Sequence, residues 1–291
     1  MTARRITTVW GIALTAALLA GCAAAKKQPP AVTWTHAMDA ALADAGKANR
    51  PVLVDFYTDW CEWCKALDDT TYVDPAFIEY SKKFTCARVN AEVDTISAKK
   101  YRVSGYPTVI LMKPDGTEID RVVGYARAPE FMAQLEDYLA GRNTLASLIA
   151  EEPAKGSDPM FLVQLGDRYQ EHGLWTEATA RYLKVIAMDP KNKSGRIDDL
   201  LMTLARGSRG QKDYAAGRAY AQTILDKFPD SDRASSALLE IAINYKKAGE
   251  PAKARPLFLD FAKRYPNDED AGYAREQADT MAVRIAQKTG A

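Results

Sequence analysis

Hydrophobic and polar positions divide the chain into two parts. Between residues 31 and 142, short apolar runs alternate with stretches in which apolar residues recur at helical spacing. From residue 159 onward only the helical spacing remains. Strands that alternate with helices predict an α/β domain, a mixed sheet covered by helices on both faces. The second part predicts an all-α domain.

The apolar runs and their flanking turn residues give the predicted elements. Strands are predicted over 52–57, 84–90, 108–113 and 118–124. Helices are predicted over 36–47, from 61, from Asp74-Pro75 to 82, over 94–101 and over 129–139. We expect Thr35 to cap the first helix and Asp74 to cap the third. Residues 143–158 have the composition of a linker, with one candidate short helix over 143–152.

An internal repeat organises residues 159–291. Pro190, Pro229 and Pro266 close successive segments, and counting back from each proline gives matching apolar and small residues. The first copy is the clearest and carries Leu165-Gly166, Tyr169, Gly173, Trp175, Ala178, Tyr182 and Asp189-Pro190. This pattern resembles the tetratricopeptide repeat. The second copy departs from it, with Ser208 and Lys212 where the other copies carry Tyr and Gly.

The likeness to tetratricopeptide repeats implies stacked helix pairs that form a solenoid. A last helix over 271–287 would cap the stack. Such a solenoid offers a concave surface, which usually binds a peptide or a protein partner. The alternative is that the repeats serve packing or oligomerisation and bind no separate ligand.

A Cys-x-x-Cys sequence carries the clearest chemistry in the chain. Cys61-Glu62-Trp63-Cys64 follows the strand predicted over 52–57 and opens a helix. The free N–H groups at a helix N-terminus favour a thiolate over a thiol. Residues three apart share a helix face, so the two sulfurs can form a disulfide. We therefore expect Cys61 to attack a substrate and Cys64 to resolve the mixed disulfide.

Two other interpretations of this cysteine pair are a structural disulfide and half of a zinc site. A zinc site needs further ligands beyond the pair. The remaining candidates are isolated and form no second ligand pair: Cys22, Cys86, His36 and His172. We expect no metal, and we expect Cys86, which lies in an apolar strand, to be a buried small hydrophobic residue.

Two motifs resemble those of thioredoxins. Residues 54–65, VDFYTDWCEWCK, resemble the thioredoxin active-site segment, and Gly105-Tyr106-Pro107-Thr108 resembles the cis-proline loop. The closer likeness is to the periplasmic C-terminal domain of the membrane thiol-disulfide interchange reductases. These share the D-W-C-x-x-C-K core and, after it, an acidic stretch with Thr-Tyr or Thr-Phe that ends in Asp-Pro, found here at 68–75. The resemblance covers 32–142 and implies a thioredoxin fold. Glu62-Trp63 stands where ordinary thioredoxins have Gly-Pro, so neither the reduction potential nor the partners carry over.

The resemblance also implies roles for residues around the cysteines. Asp55 matches a buried carboxylate with a raised pKa that accepts the proton of the resolving thiol; the alternative is a solvated acid at a strand end. A cis peptide bond is expected before Pro107, with the backbone of Tyr106 holding an extended substrate segment. Trp60 and Trp63 are expected to form a rim where partners dock, with core packing as the alternative for Trp60. No organic cofactor is implied.

Composition sets the limits on size and partners. The 291 residues are 47% hydrophobic and 26% charged, which suits two ordinary domains. A formal net charge of +1 gives no electrostatic footprint for nucleic acid. Protein partners are the class that the likeness to thioredoxins and to tetratricopeptide repeats implies.

The N-terminus has the pattern of an export signal. Arg4-Arg5 precedes an apolar stretch over 6–20, followed by Gly21-Cys22. The sequence Leu-Ala-Gly-Cys at 19–22 resembles the bacterial lipoprotein box. It implies a signal peptide over 1–21, lipid attachment at Cys22 and a tether over 22–31. The alternative is an uncleaved N-terminal anchor, for which the apolar run is short.

These features support two functional hypotheses. The first is a lipid-anchored, periplasm-facing thiol-disulfide oxidoreductase of the cell envelope. In it, Cys61 and Cys64 exchange disulfides with protein substrates, a redox partner restores the pair, and the repeats recruit a peptide or protein. The second is a non-catalytic lipoprotein scaffold for assembly of an envelope complex. The intact Cys-x-x-Cys favours the first, with both directions of electron flow and both membranes left open.

Overall fold

The computed structural model describes residues 31–289. A sheet domain occupies the N-terminal part of this range, and an array of helices occupies the rest. The signal peptide expected over 1–21, the lipidation expected at Cys22 and the tether expected over 22–31, except for Ala31, lie outside the described residues.

A five-stranded mixed sheet forms the first domain, as the hydrophobic pattern predicts. Its strands are β1 (Trp34–Thr35), β2 (Val52–Tyr57), β3 (Thr85–Asn90), β4 (Thr108–Met112) and β5 (Glu118–Val123). In space they follow the order β1-β3-β2-β4-β5. Strand β3 runs parallel to β1 and β2, whereas β4 runs antiparallel to β2 and β5. The central strand is therefore β2, which leads into the Cys-x-x-Cys sequence.

Helices cover this sheet at positions close to those predicted. They are α1 (Met38–Ala48), α2 (Glu62–Ala66), α3 (Pro75–Ser81), α4 (Thr95–Lys100) and α5 (Ala128–Leu139), with a π-helical turn at Leu67–Thr71. Asp74 caps α3 as predicted, because its carboxylate accepts hydrogen bonds from the backbone N–H groups of Ala76 and Phe77. The cap predicted at Thr35 is wrong. Thr35 belongs to β1 and pairs with Ala87 of β3.

Two apolar clusters fill the space on either side of the sheet. Leu53 packs on one side with Phe77 of α3, and Val54 packs on the other with Met38 of α1. Side chains alternate between the two faces along a strand, so Asp55 shares the face of Leu53. The Asp55 carboxylate is therefore directed to the side of the sheet that α3 and α5 cover.

Consecutive helices stacked on one another form the second domain. They are α6 (Leu145–Lys155), α7 (Pro159–Glu171), α8 (Trp175–Met188), α9 (Ile197–Gly210), α10 (Tyr214–Lys227), α11 (Ala234–Lys247), α12 (Pro251–Arg264) and α13 (Ala271–Thr289). Small residues let paired helices approach closely. A Cβ atom at Gly166 of α7 would lie 2.6 Å from Cε1 of Tyr182 on α8. These helices confirm the all-α domain that the repeat pattern predicts.

Helix α6 lies in the segment expected as a linker over 143–158. Leu145 and Leu148 of this helix pack in the apolar core of the repeats. Thr144 caps the helix, because its hydroxyl accepts a hydrogen bond from the backbone N–H of Ser147 at 3.0 Å. The two domains are thus joined through a packed helix, and Pro153 lies within it.

Lys212 occupies a backbone position that glycine fills in the other repeat copies. Its φ angle is 64°, compared with 69° at Gly173 and 76° at Gly249. A residue with a side chain is strained in this left-handed region, whereas glycine is not. The second copy therefore keeps the turn of its neighbours with a less suitable residue.

Asp120 of β5 joins the two domains. Its buried carboxylate accepts hydrogen bonds from Arg168 of α7 and, at 3.1 Å, from Nε2 of His172. The backbone N–H of Leu145 donates to its other oxygen at 2.6 Å. Burial lowers the pKa of His172 to about 4 despite the opposing charge of Glu118, so the ring is neutral at pH 7. This polar cluster fixes the first repeat against the edge of the sheet.

Candidate active site

The cysteine pair lies where β2 leads into α2. Cys61 and Cys64 form a disulfide, and their Cα atoms are 5.3 Å apart. Cys61 is the N-cap of α2, and its sulfur accepts a hydrogen bond from the backbone N–H of Cys64 at 3.1 Å. Donors of this kind at a helix N-terminus favour a thiolate at Cys61 once the disulfide is reduced. Both residues are buried, so a partner must approach closely to react.

Asp55 is the buried carboxyl group that the sequence predicts. It is 1% exposed, which excludes the alternative of a solvated acid at a strand end. Burial raises the pKa of Asp55 from 3.8 to about 6, although the positive charge and hydrogen bond of Arg88 act in the opposite direction. Asp55 can therefore gain and lose a proton near neutral pH.

Arg88 of β3 lies between two carboxylates. Its Nε donates to Oδ2 of Asp55 at 3.1 Å, and its Nη2 donates to Oδ2 of Asp68 at 2.9 Å. Sequence reasoning missed this cation. Arg88 and Asp55 are paired neighbours in the register of β3 on β2, and that register is known only from the folded sheet. The charge of Asp55 is therefore partly compensated when it ionises.

Tyr72 closes the space around Asp55. Its ring packs on the ring of Trp34, with the two centroids 5.0 Å apart. Burial, and after it the charge of Asp55, raises the pKa of the Tyr72 hydroxyl well above its usual value. The hydroxyl makes no hydrogen bond to any described residue. Tyr72 thus stays protonated and keeps water away from the carboxyl group.

The two tryptophans of the motif lie on the surface. Trp60 is 64% exposed and Trp63 is 62% exposed, so the core-packing alternative for Trp60 is wrong. The Trp60 Nε1–H donates to Oε1 of Glu92 at 2.9 Å. The Trp63 ring stacks on the ring of Tyr125, with centroids 5.7 Å apart. Glu92 and Tyr125 come from distant loops, and the sequence offered no signal for either contact.

The predicted cis-proline loop borders this aromatic rim. The peptide bond between Tyr106 and Pro107 is cis, which confirms the expectation from the sequence. The Tyr106 ring meets the Trp60 ring edge to face, with centroids 5.9 Å apart. Gly124 of the neighbouring strand end donates its backbone N–H to the Pro107 carbonyl at 2.8 Å. The loop is therefore held beside the residue that precedes Cys61.

The remaining sequence candidates lie apart from this site. Cys86 is a free, buried cysteine, as expected, and burial raises the pKa of its thiol to about 12. Between residues 31 and 289, no group of three or more His, Cys, Asp or Glu side chains is arranged to hold a metal ion.

No helix in the described part of the chain combines the length and apolar character needed to cross a bilayer.

Comparison with known proteins agrees with this geometry. The thioredoxin-like domain family matches residues 38–139. A thioredoxin from Mycobacterium bovis is 31% identical over 106 residues, which are 36% of this chain and 89% of that protein. The chain therefore belongs to the thioredoxin family, the class of thiol-disulfide oxidoreductases that its fold and cysteine pair define.

Further matches are a longer relative and a solved structure that resemble the sheet domain, and a second family that matches the repeats. The thiol:disulfide interchange protein DsbD of Pectobacterium atrosepticum is 34% identical over 107 residues, or 35% of this chain, and the match spans only 18% of that relative. A solution structure of a Thermus thermophilus thioredoxin is 22% identical with a TM-score of 0.34, covering 45% of this chain and 95% of that one. The tetratricopeptide repeat family matches residues 236–268, which cover most of the third copy and end just past Pro266.

Proposed function

We propose that this protein is a lipid-anchored, periplasm-facing oxidoreductase that exchanges disulfides with protein substrates through Cys61 and Cys64. The observation that carries the proposal is the Cys61–Cys64 disulfide at the start of α2, beside the Tyr106–Pro107 loop. The lipoprotein-like motif ending at Cys22 supports the location in the cell envelope.

The reduction of a substrate disulfide takes two exchanges. The Cys61 thiolate first attacks one substrate sulfur, so a bond between Cys61 and the substrate forms while the substrate S–S bond breaks. The leaving thiolate takes up a proton. Deprotonated Cys64 then attacks the Cys61 sulfur, the Cys61–Cys64 bond forms, and the second substrate thiol is released. Two electrons pass to the substrate, and the reverse sequence oxidises a dithiol substrate.

Asp55 is the proposed acceptor of the Cys64 proton. A carboxyl group with a pKa of about 6 is largely ionised at pH 7 and can also return the proton in the reverse reaction. The balance between burial and the neighbouring Arg88 sets this pKa. Arg88 is therefore a positioning residue in the proposal, and it acts through Asp55.

The substrate segment is proposed to lie across the Tyr106–Pro107 loop. Exposed aromatic side chains on one side of this loop offer large contact surfaces, and both indoles are held by neighbours, Trp60 by Glu92 and Trp63 by Tyr125. Held aromatic groups lose little conformational entropy when a partner binds. The helical repeats are proposed to bind part of the same protein substrate, and a separate redox protein would restore the pair.

Mixed-disulfide trapping tests the proposal. In a Cys64→Ala variant the resolving thiol is missing, so protein substrates should accumulate as disulfides on Cys61. Cys61→Ala is the matched control and should trap little. Adding Cys86→Ala to the trap should change nothing, because Cys86 is buried. A Cys64→Ala variant that captures no protein, beside another thioredoxin-fold trap that does, would instead support the scaffold hypothesis.

A further inference from the structure

A cleft opens between the sheet domain and the inner face of the repeats. Its lining includes Ser104 of the sheet domain, Gln170 on α7, Trp175 on α8 and Arg206 on α9. The volume of the cleft is about 430 Å³. Residues of both domains therefore form its walls, which neither domain could build alone.

This cleft begins close to the reactive cysteines. Ser104 is exposed and lies two residues before Tyr106 of the cis-proline loop. The Tyr106 ring contacts the ring of Trp60, the residue before Cys61. An extended chain advances about 3.3 to 3.6 Å per residue. A substrate segment held at the cis-proline loop therefore reaches the cleft within a few residues of its own cysteine.

Arg206 gives the near end of the cleft its charge. It is the one charged residue among the described residues that line this end, and it forms no ion pair with them. Further along the inner face, the lining adds Arg209, Glu240 and Asp270 to Arg206. There Arg209 donates from Nε to Glu240 at 2.6 Å, so those two charges pair, while Asp270 lines the same wall as Arg206. Arg206 itself forms no ion pair with a described residue, so its positive charge is available at the end of the cleft nearest the active site.

On the other side of the cis-proline loop, beside Trp60, the nearby charge is the negative carboxylate of Glu92. Glu92 accepts the hydrogen bond of Trp60. Its charge adds to the effect of burial in raising the pKa of the Tyr106 hydroxyl. An acidic substrate side chain is therefore disfavoured beside Trp60 and favoured beyond Ser104, next to Arg206.

Contacts between the domains hold this cleft in place. Arg121 of β5 donates to the carbonyl oxygen of Tyr101 at 2.8 Å and to that of Glu171 on α7 at 3.3 Å. On the repeat side, the Trp175 ring lies directly against Gly207 of α9, where a Cβ atom would overlap it. A cleft that is formed before binding costs a partner less ordering entropy than one that must be assembled.

We propose that this cleft, with Arg206 as its selective residue, binds an acidic side chain on the substrate polypeptide a few residues from the cysteine that reacts with Cys61. The inference rests on the proposed function and narrows its substrates to proteins with an acidic residue near the reactive cysteine. The Trp175 ring and the Gln170 amide offer an apolar face and a hydrogen-bonding group for the rest of the segment.

Two synthetic peptide disulfides test the inference with reduced, full-length protein in detergent. Each peptide carries one cysteine linked to a chromogenic thiol, with glutamates a few positions away in one peptide and lysines at the same positions in the other. Opposite charges at an exposed site are worth about fivefold in affinity. We expect the second-order rate constant for reduction of the peptide by the reduced protein, measured in a single turnover, to favour the acidic peptide by about that factor, and added salt should reduce the preference.

Two variants and a neutral substrate separate the outcomes. Arg206→Glu should remove or reverse the peptide preference, whereas Arg284→Glu, the same charge change on exposed α13, should keep it. Hydroxyethyl disulfide is neutral and small, so its rate reports the exchange at Cys61 and Cys64 alone. If wild type reduces neither this disulfide nor either peptide, the proposed function fails. If all three proteins reduce it equally, but wild type ignores peptide charge or Arg206→Glu keeps the wild-type preference, the cleft inference is wrong and the proposed function stands.

Discussion

Arg88 donates a hydrogen bond to Asp55 at 3.1 Å, and yet the pKa of Asp55 is raised to about 6. Burial outweighs the attraction because Asp55 is almost completely shielded from water, while Arg88 also serves Asp68. The sheet thus carries, on the face covered by α3 and α5, a carboxyl group that titrates close to neutral pH. This position of the pKa leads to two predictions about Asp55.

The first concerns the rate of exchange. Asp55→Asn removes the proposed proton acceptor with little change of shape, so release of the second substrate thiol should slow by about 10²-fold or more. In wild type the release rate should fall as pH drops below about 6, because Asp55 becomes protonated. The variant should lack this dependence. Stopped-flow measurements across pH decide it, with exposed Asp69→Asn as the matched control, and an unchanged pH profile in Asp55→Asn would refute the role.

The second concerns the stability of the oxidised protein. The pKa of Asp55 is higher in the folded chain than its usual value of 3.8, so folding is favoured while the group is protonated. Its contribution is fully present below pH 3.8 and is lost as pH rises through about 6. The shift corresponds to about 3 kcal/mol. Urea unfolding should therefore show Asp55→Asn gaining stability relative to wild type between pH 4 and pH 7.

The same urea experiment contains its own check. The pairing of Arg88 with ionised Asp55 is already contained in the pKa of about 6, because the charge and hydrogen bond of Arg88 lower that pKa, and Arg88 keeps Asp68 in the variant. A variant whose stability relative to wild type is the same at pH 4 and pH 7 would show that ionisation of Asp55 costs nothing.

Lys212→Gly should stabilise the protein. The φ angle of 64° strains any side chain at this position, and relief of that strain exceeds the extra entropy that glycine gains in the unfolded chain. We expect a gain of about 0.5 to 1 kcal/mol in the free energy of unfolding. Lys184→Gly, in the middle of α8, is the matched control and should lose about 1 kcal/mol. Equal losses in both variants would show that the turn at Lys212 is not strained.

Asp120→Asn should weaken the joint between the domains. The substitution leaves Arg168 and His172 facing a neutral amide in a buried site, and loss of one partner of a buried ion pair typically costs about 3 to 5 kcal/mol. Arg168 still contacts Glu171, so the lower end of that range is expected. Exposed Asp115→Asn is the control. Calorimetry and limited proteolysis around 143–158 measure the effect, and an unchanged melting temperature would contradict it.

Much of the sheet domain was predictable because its signals are local. The bounds of β2 follow from an apolar run that only Asp55 interrupts, and the cap of α3 follows from Asp74-Pro75. The first helix was misplaced at its start, since a short edge strand such as β1 carries too few residues to show a period. The cysteine pair and the cis-proline loop were found because each is a contiguous motif.

The partners of those motifs were not predictable. Arg88 reaches Asp55 only through the register of β3 on β2, and Tyr125 reaches Trp63 across a distance of many residues in sequence. The cleft at Arg206 depends on how the repeats dock on β5, which the buried Asp120 cluster determines. No periodicity in the sequence records such a contact between domains.

One measurement tests the central claim most directly. Reduced protein is mixed with a peptide disulfide, and the released thiols and the protein adducts are counted by mass spectrometry for wild type, Cys61→Ser and Cys64→Ala. We expect wild type to release both substrate thiols and end with a Cys61–Cys64 disulfide, and Cys61→Ser to react little.

The Cys64→Ala protein should stop after the first exchange, with one substrate thiol released and the other bound to Cys61. An adduct on Cys86, or full release of both thiols by Cys61→Ser, would contradict the assignment of Cys61 as the attacking residue and Cys64 as the resolving one.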